Sequence, residues 1–278
     1  MPESAQVDYQ YLRIAGMQIR VGVSRRGSPG LPLLLFNGIG ASMELLQPFV
    51  NEMHNTAVIC YDAPGAGESQ SPSYPWRLRQ HAHVAGKLLD RLGFDRVNVL
   101  GISWGGILAQ QFARQFPNRT ERLVLAATSP GQLMVPARLP VLMRMSSPLR
   151  YFIPQYMQSI APKIYGGSLR TNKLKAAEHA GKMRPPSVKG YYFQMLALMG
   201  WSSLPWLHKL RQPTLVLAGD DDPIIPLING RILAARIPHA RLRIVNCGHL
   251  FLLTRAAVLA PEIERFLALT PLTDQQYP

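Results

Sequence analysis

The sequence predicts an α/β fold, with a mainly parallel central sheet, helices on both of its faces and one inserted helical cap. Three features predict it. Strand-length apolar runs recur along the chain, and helix-length segments with apolar residues three and four apart lie between most of them. This alternation stops between about Pro130 and Pro205, where Met, Tyr, Pro and basic residues mix without a clear strand. The expected division is a core of residues 1–130 and 210–278 and a cap of residues 131–209.

In chain order, the alternation of apolar and polar residues from Tyr9 to Ser24 turns about Ala15 and Gly16, which reads as a two-stranded hairpin. Strand runs follow at Leu33 to Phe36, Ala57 to Tyr61, Val97 to Ile102, Leu123 to Ala127, Thr214 to Ala218 and Leu242 to Val245. After Ile102 the spacing of Ile107, Leu108, Gln111, Phe112 and Gln115 is helical. No internal repeat or low-complexity linker is present, and only the tail from Thr270 to Pro278 reads as loose.

Composition narrows the function classes. At 278 residues the chain is near the upper limit for one hydrophobic core, and 47% apolar with 17% charged residues describes a packed globule rather than a disordered chain. The balance of 30 Lys plus Arg against 16 Asp plus Glu gives a net +14, a field that draws in an anionic partner. Nucleic acid is suggested by charge alone, without a recognisable motif, and is not expected. Cys60 and Cys247 could form at most one disulfide, and both lie in apolar segments suited to reduced, buried thiols. The first sixteen residues lack a basic cluster followed by an apolar run, so export is not expected and a cytoplasmic location is. The longest stretch without Lys, Arg, Asp or Glu, Gly190 to His208, is broken by Gln194, Ser202, Ser203 and Pro205, which disfavours a membrane span.

The chemistry begins where the run Val97 to Ile102 enters Gly101-Ile102-Ser103-Trp104-Gly105 and a helical pattern starts at once. This is a Gly-x-Ser-x-Gly nucleophile elbow in its strand-turn-helix setting. Ser103 must occupy a strained turn that presents its hydroxyl, and side chains at 101 and 105 would collide with the neighbouring strand or helix. A serine nucleophile needs a general base, and the base needs an orienting acid. Of seven histidines, His249 follows the run Leu242 to Val245 through a short turn, where a doubly wound sheet delivers residues to the carboxyl edge of its strands. His54, His81, His83, His179, His208 and His239 read as structural. The acid is expected among Asp220, Asp221 and Asp222, after Thr214 to Ala218; Asp222 is favoured by its spacing from Gly219 and Pro226, Asp221 is the next choice, and Asp220 reads as solvated or turn-capping. The order Ser103, Asp222, His249 is that of an α/β-hydrolase. An oxyanion hole would take the amides of Trp104, directly after the nucleophile, and of Ile39, in the loop Asn37-Gly38-Ile39-Gly40. The cluster Asp62 to Ser69 reads as architecture around the site. No metal or organic cofactor is required.

The elbow GISWGG, the loop FNGIGA, the segment LVLAGDDDPIIPLI and the closing GHLFLLTRA resemble the intracellular medium-chain-length poly(3-hydroxyalkanoate) depolymerases, serine hydrolases of storage granules. The likeness extends from about Tyr9 to Leu267 and includes the cap segments IAPKIYGG and GWSSLPWLHKL, which generic hydrolases lack. The resemblance implies that Ser103, Asp222 and His249 form the triad, that the substrate is the polyester, and that the partner is the granule surface and its coat.

Within the cap, eleven basic residues stand against the single acid Glu178, so it supplies +10 of the net charge. The same stretch is rich in Met and aromatic residues, from which Met134, Tyr192 and Trp201, with Asn37 and Gly38, are expected to contact substrate. Two other readings remain: a carboxylesterase, lactonase or carbon-carbon bond hydrolase acting on a small soluble substrate, since fold and triad are indifferent to the acyl group, and a ligand receptor that kept the fold.

Overall fold

The computed structural model describes residues 7–24 and 28–269, apart from 173, 175, 176, 178–180, 182 and 183. The chain opens with β1 (Val7–Ile14) and β2 (Met17–Ser24), an antiparallel hairpin turning at Ala15 and Gly16, both at positive φ. It continues through β3 (Leu33–Phe36), α1 (Gln47–Glu52), β4 (Val58–Tyr61), α2 (Leu78–Leu92), β5 (Val97–Ile102), α3 (Trp104–Gln115) and β6 (Thr120–Ala126). Among the described residues, helices follow without a strand: α4 (Leu139–Met145), α5 (Leu149–Phe152), α6 (Pro154–Tyr165), α7 (Ser168–Thr171) and α8 (Val188–Leu196). The sheet resumes with β7 (Thr214–Gly219), α9 (Leu227–Arg236) and β8 (Ala240–Val245), and the described chain closes with α10 (Phe251–Thr254) and α11 (Ala256–Ala268).

The eight strands order as β1-β2-β4-β3-β5-β6-β7-β8, and all pairings from β4 to β8 are parallel. Alternation along each strand divides the core in two. Leu34, Phe36, Val97 and Val99 face α2 and α3 on one side, while Leu33, Leu35, Leu100 and Ile102 meet Phe49, Leu259 and Ile263 on the other. Strands covered on both faces need apolar residues at every position, which is why these runs stood out in the sequence. Some strand boundaries differ from expectation by one to three residues, and β6 starts at Thr120 and β8 at Ala240, ahead of their apolar runs. As an edge strand, β8 leaves one face in solvent, so its first residues alternate in exposure and carry arginine.

The chain runs from β3 outward to β4, then crosses back to β5 beside β3 and on to β6. The β3–β5 boundary is thus the switch point of the sheet, and the loops leaving these two strands face each other across a crevice. A backbone bridge between Gly131 and Ser202 draws together the ends of the helical stretch between β6 and β7. Its helices have their own apolar cluster of Val141, Met157, Ile160, Ile164 and Leu169, joined to the core through Ile224 and Leu250. Close backbone approaches stitch it down: a Cβ on Gly190 would lie 2.5 Å from the Cα of Gly65, and one on Gly248 would lie 2.7 Å from the Gly167 nitrogen.

Candidate active site

Ser103 leaves β5 with φ 56° and ψ −120°, a backbone conformation that side chains other than glycine rarely adopt and that costs on the order of 1–3 kcal/mol. Neighbouring groups hold it there. Its amide donates to the Ala126 carbonyl at 2.9 Å, and its own carbonyl accepts from Gly106 N at 2.9 Å and from the Thr128 hydroxyl at 2.7 Å. A Cβ on Gly101 would run into the Gly105 carbonyl, and one on Gly105 into the carbonyls of Phe36 and Asn37. The two glycines of the motif therefore let β5, α3 and the end of β3 close on one another, and Ser103 stands at their junction, half-buried.

His249 lies beyond β8, with its amide donating to the Tyr165 carbonyl at 2.7 Å. Its Nδ1 sits 2.7 Å from Asp222 Oδ2, and both residues are buried. A carboxylate can only accept, so this contact puts the proton on Nδ1 and leaves Nε2 with a free lone pair. The other oxygen, Asp222 Oδ1, accepts the amides of Ile224 and Ile225, each at 2.9 Å. Its neighbours are engaged elsewhere: Asp220 accepts the Cys247 amide, and Asp221 pairs with Arg170 and the Gly167 amide. Ser103 and His249 line one cavity of about 40 Å³, shared with Asn37, Gly38 and Ile39.

Among the described residues, the amides of Ile39 and Trp104 have no hydrogen-bond acceptor, whereas the flanking amides do: Gly38 donates to Asn37 Oδ1 and Gly40 to Gln194 Oε1. Asn37 also donates from its amide nitrogen to the Ser42 carbonyl, so its side chain ties the loop together. Gln194 bridges the loop after β3, the Pro64 carbonyl and, through its own carbonyl, the Trp104 indole N–H. In the sequence it was visible only as a polar break in an apolar stretch. The Asp62 carboxylate accepts the amides of Met43 and Glu68, fixing the turn beneath this loop.

Three residues expected to contact substrate lie off the cavity. Trp201 is turned inward, donating to Gln111 Oε1 at 2.8 Å and meeting Trp206 edge-on; Tyr192 is exposed; and Met134 is half-buried outside the lining. Residue type alone does not say which face of a short helix meets the crevice. The cavity is closed instead by Met145, Arg150, Tyr151 and Tyr165, with Tyr151 donating to the Ile39 carbonyl at 2.5 Å. The basic stretch also differs from a uniformly solvated face: Arg150 is buried, and Arg170 and Arg184 pair with Asp221 and Glu68. Lys173, Lys175, Lys182, Met183, Glu178 and His179 lie outside the described residues. Cys60 and Cys247 are both buried and free. Among the described residues no helix is long and apolar enough to cross a membrane, and no three His, Cys, Asp or Glu side chains cluster so as to hold a metal ion.

Comparison with known proteins agrees with this architecture. A family model described as the alpha/beta hydrolase fold matches residues 32–256. The chain is 51% identical over 261 residues to a poly(3-hydroxyalkanoate) depolymerase of Ectopseudomonas oleovorans, covering 93% of this chain and 92% of that one. It is 26% identical to 3-oxoadipate enol-lactonase 2 of Acinetobacter baylyi, over 85% of this chain and 89% of the lactonase. Among solved structures, the enol-lactonase from Burkholderia xenovorans LB400 superimposes with a TM-score of 0.81 at 21% identity, over 93% of this chain and 99% of that one, a likeness of fold. The chain belongs to the α/β-hydrolase fold family, in the branch that holds the poly(3-hydroxyalkanoate) depolymerase of Ectopseudomonas oleovorans.

Proposed function

We propose that the chain is a serine hydrolase that cleaves the ester bonds of intracellular medium-chain-length poly(3-hydroxyalkanoate) and releases 3-hydroxyalkanoic acids. The observation that carries the chemistry is the buried Asp222–His249 pair lining the same cavity as Ser103 on its strained elbow. Ser103 Oγ attacks the ester carbonyl while His249 Nε2 takes its proton, and the negative oxygen that develops is met by the amides of Ile39 and Trp104. His249 returns the proton to the departing alkoxide. Water, activated by the same imidazole, then attacks the acyl-enzyme and frees the acid, with Asp222 holding the tautomer throughout. Preorganisation supports this reading: both oxyanion amides lack a competing acceptor among the described residues, so no internal bond must break as charge develops.

The choice of substrate rests on the 51% identity to the Ectopseudomonas oleovorans depolymerase. Residues 131–209 act as a cap on a core of 1–130 and 210–278, a reading supported by the separate apolar cluster of the cap helices. A cavity of about 40 Å³ takes a group of a few heavy atoms, not a medium acyl chain, so productive binding displaces Met145, Tyr151 or Tyr165. Exposed Leu139, Leu142, Met143, Leu149, Phe152 and Ile153, with Arg138 and Lys163 exposed on the same helical stretch, suit adsorption to an apolar granule with an anionic coat in the cytoplasm. The test is incubation of the purified protein with amorphous granules of medium-chain polyester. Release of 3-hydroxy acids is expected; hydrolysis of small lactones without release from granules would favour the enol-lactonase-like alternative, which the 26% identity to 3-oxoadipate enol-lactonase 2 supports.

A further inference from the structure

Arg150 is the side chain at the site that the proposed mechanism leaves without work. It is 2% exposed, among the largest fully buried side chains of the protein, and it lines the cavity that holds Ser103 and His249. Nη1 donates to the Met145 carbonyl at 3.1 Å, the Ser147 carbonyl at 3.2 Å and the Tyr191 hydroxyl at 2.7 Å, and the phenol hydroxyls of Tyr151 and Tyr165 also face the guanidinium. Nε is buried and without a partner. Among the described residues no carboxylate pairs with it, and the ring faces of Tyr151 and Tyr191 lie 4.8 and 5.1 Å from the guanidinium carbon.

A guanidinium stays protonated at any working pH, and a buried charge without a counter-ion costs several kcal/mol that carbonyls and rings repay only in part. Holding carbonyls and phenols needs no net charge. A charge kept in a cavity beside a nucleophile is compensated when the ligand brings the anion, and the planar fork of arginine matches a carboxylate.

We propose that Arg150 binds the free carboxylate of the substrate's chain end, so that the enzyme cuts its polyester from the carboxyl terminus and releases one 3-hydroxy acid per cycle. The proposal rests on the polyester reading above. In the terminal repeat the carboxylate is separated from the scissile ester oxygen by only two carbons, and Ser103 and Arg150 line the same cavity. Ser103 Oγ forms its bond to the penultimate carbonyl, the ester C–O bond breaks, and the alkoxide of the last unit takes the proton from His249. That unit leaves as a 3-hydroxy acid carrying the carboxylate held by Arg150. The shortened chain remains on Ser103 until water releases it with a new carboxyl end.

The experiment compares kcat/KM for a trimer of 3-hydroxyoctanoate with a free carboxyl end and for the same trimer as its methyl ester. The wild-type protein is expected to favour the free acid by about tenfold or more, the range of a charge-assisted hydrogen bond. In Arg150→Met, checked for folding by its melting curve, the ratio is expected to fall to near one. Arg150→Lys should retain part of it. A wild-type ratio near one overturns the proposal without touching the polyester reading, and a ratio preserved in Arg150→Met overturns it as well. Failure to cleave either trimer would remove the polyester reading itself. If Arg150→Met does not fold, the wild-type ratio decides, together with inhibition by 3-hydroxyoctanoate against its methyl ester; equal inhibition by the two overturns the proposal.

Discussion

His81 sits one turn into α2, 1% exposed, with neither ring nitrogen hydrogen-bonded. Its ring meets Trp104 edge-on at 5.2 Å and Trp76 at 5.7 Å, so it lies directly behind the elbow. Burial away from any partner pushes its pKa from the ordinary 6.5 down to about 4. Between these values the unfolded chain binds a proton that the folded protein refuses. Stability from this group is therefore complete above pH 6.5 and is lost as pH falls toward 4. At about 1.4 kcal/mol per tenfold, the loss across that window is about 3 kcal/mol. Asp62 works the other way, since burial pushes its carboxyl up to about 6 against the pull of the Glu68 and Met43 amides, so the wild-type curve alone is not diagnostic. The difference from His81→Leu is. Leucine has similar volume and leaves no buried donor or acceptor unmade, so at pH 7.5 the variant should match the wild type within about 1 kcal/mol. At pH 4.5 it should be more stable than the wild type by about 2–3 kcal/mol. Urea unfolding monitored by tryptophan fluorescence at four pH values between 4.5 and 7.5 measures both. Parallel loss of stability in the two proteins would refute the argument, because it would mean that His81 accepts its proton without leaving the fold.

Three further outcomes are expected. Ser103→Ala should lower the rate at least about a thousandfold, abolish labelling by a fluorophosphonate and leave the melting curve in place; activity within tenfold of wild type would remove Ser103 from the mechanism. Asp222→Asn should cost roughly a thousandfold in turnover while Asp220→Asn, whose partner is the Cys247 amide, costs little, and kinetics showing the reverse would reassign the acid. Gly105→Ala pushes a methyl group into the carbonyls of Phe36 and Asn37, so it should destabilise by more than the 1–3 kcal/mol of ordinary overpacking, read as a lowered melting temperature; an unchanged melting temperature would show that the elbow yields.

The sheet was legible because strands buried on both faces must be apolar throughout, and β3, β5 and β7 leave little choice of residue. The positions of Ser103, Asp222 and His249 were legible for a related reason: each follows a strand whose end fixes where the next few residues go. The cavity wall was not. Met145, Arg150, Tyr151 and Tyr165 lie on short helices that depend on packing against the core, and no local pattern separates them from exposed Met143 or Tyr192. Arg150 in particular reads in the sequence as one more basic residue of a basic stretch, since burial of a charge is a tertiary property.

The paired glycines at 65 and 190 and at 167 and 248 have a bearing on interchange among relatives of this fold. Each seam lets two backbones touch, so each position is an address that recognises only its counterpart. A helical segment transplanted from a relative arrives with whatever residue it carries at the touching position, and a side chain there would run into the backbone across the seam. Grafts that carry both halves of each seam should seat; grafts that carry one half should not, however well their helices fold. Portability of specificity in this architecture thus depends on backbone contacts far from the residues that touch substrate.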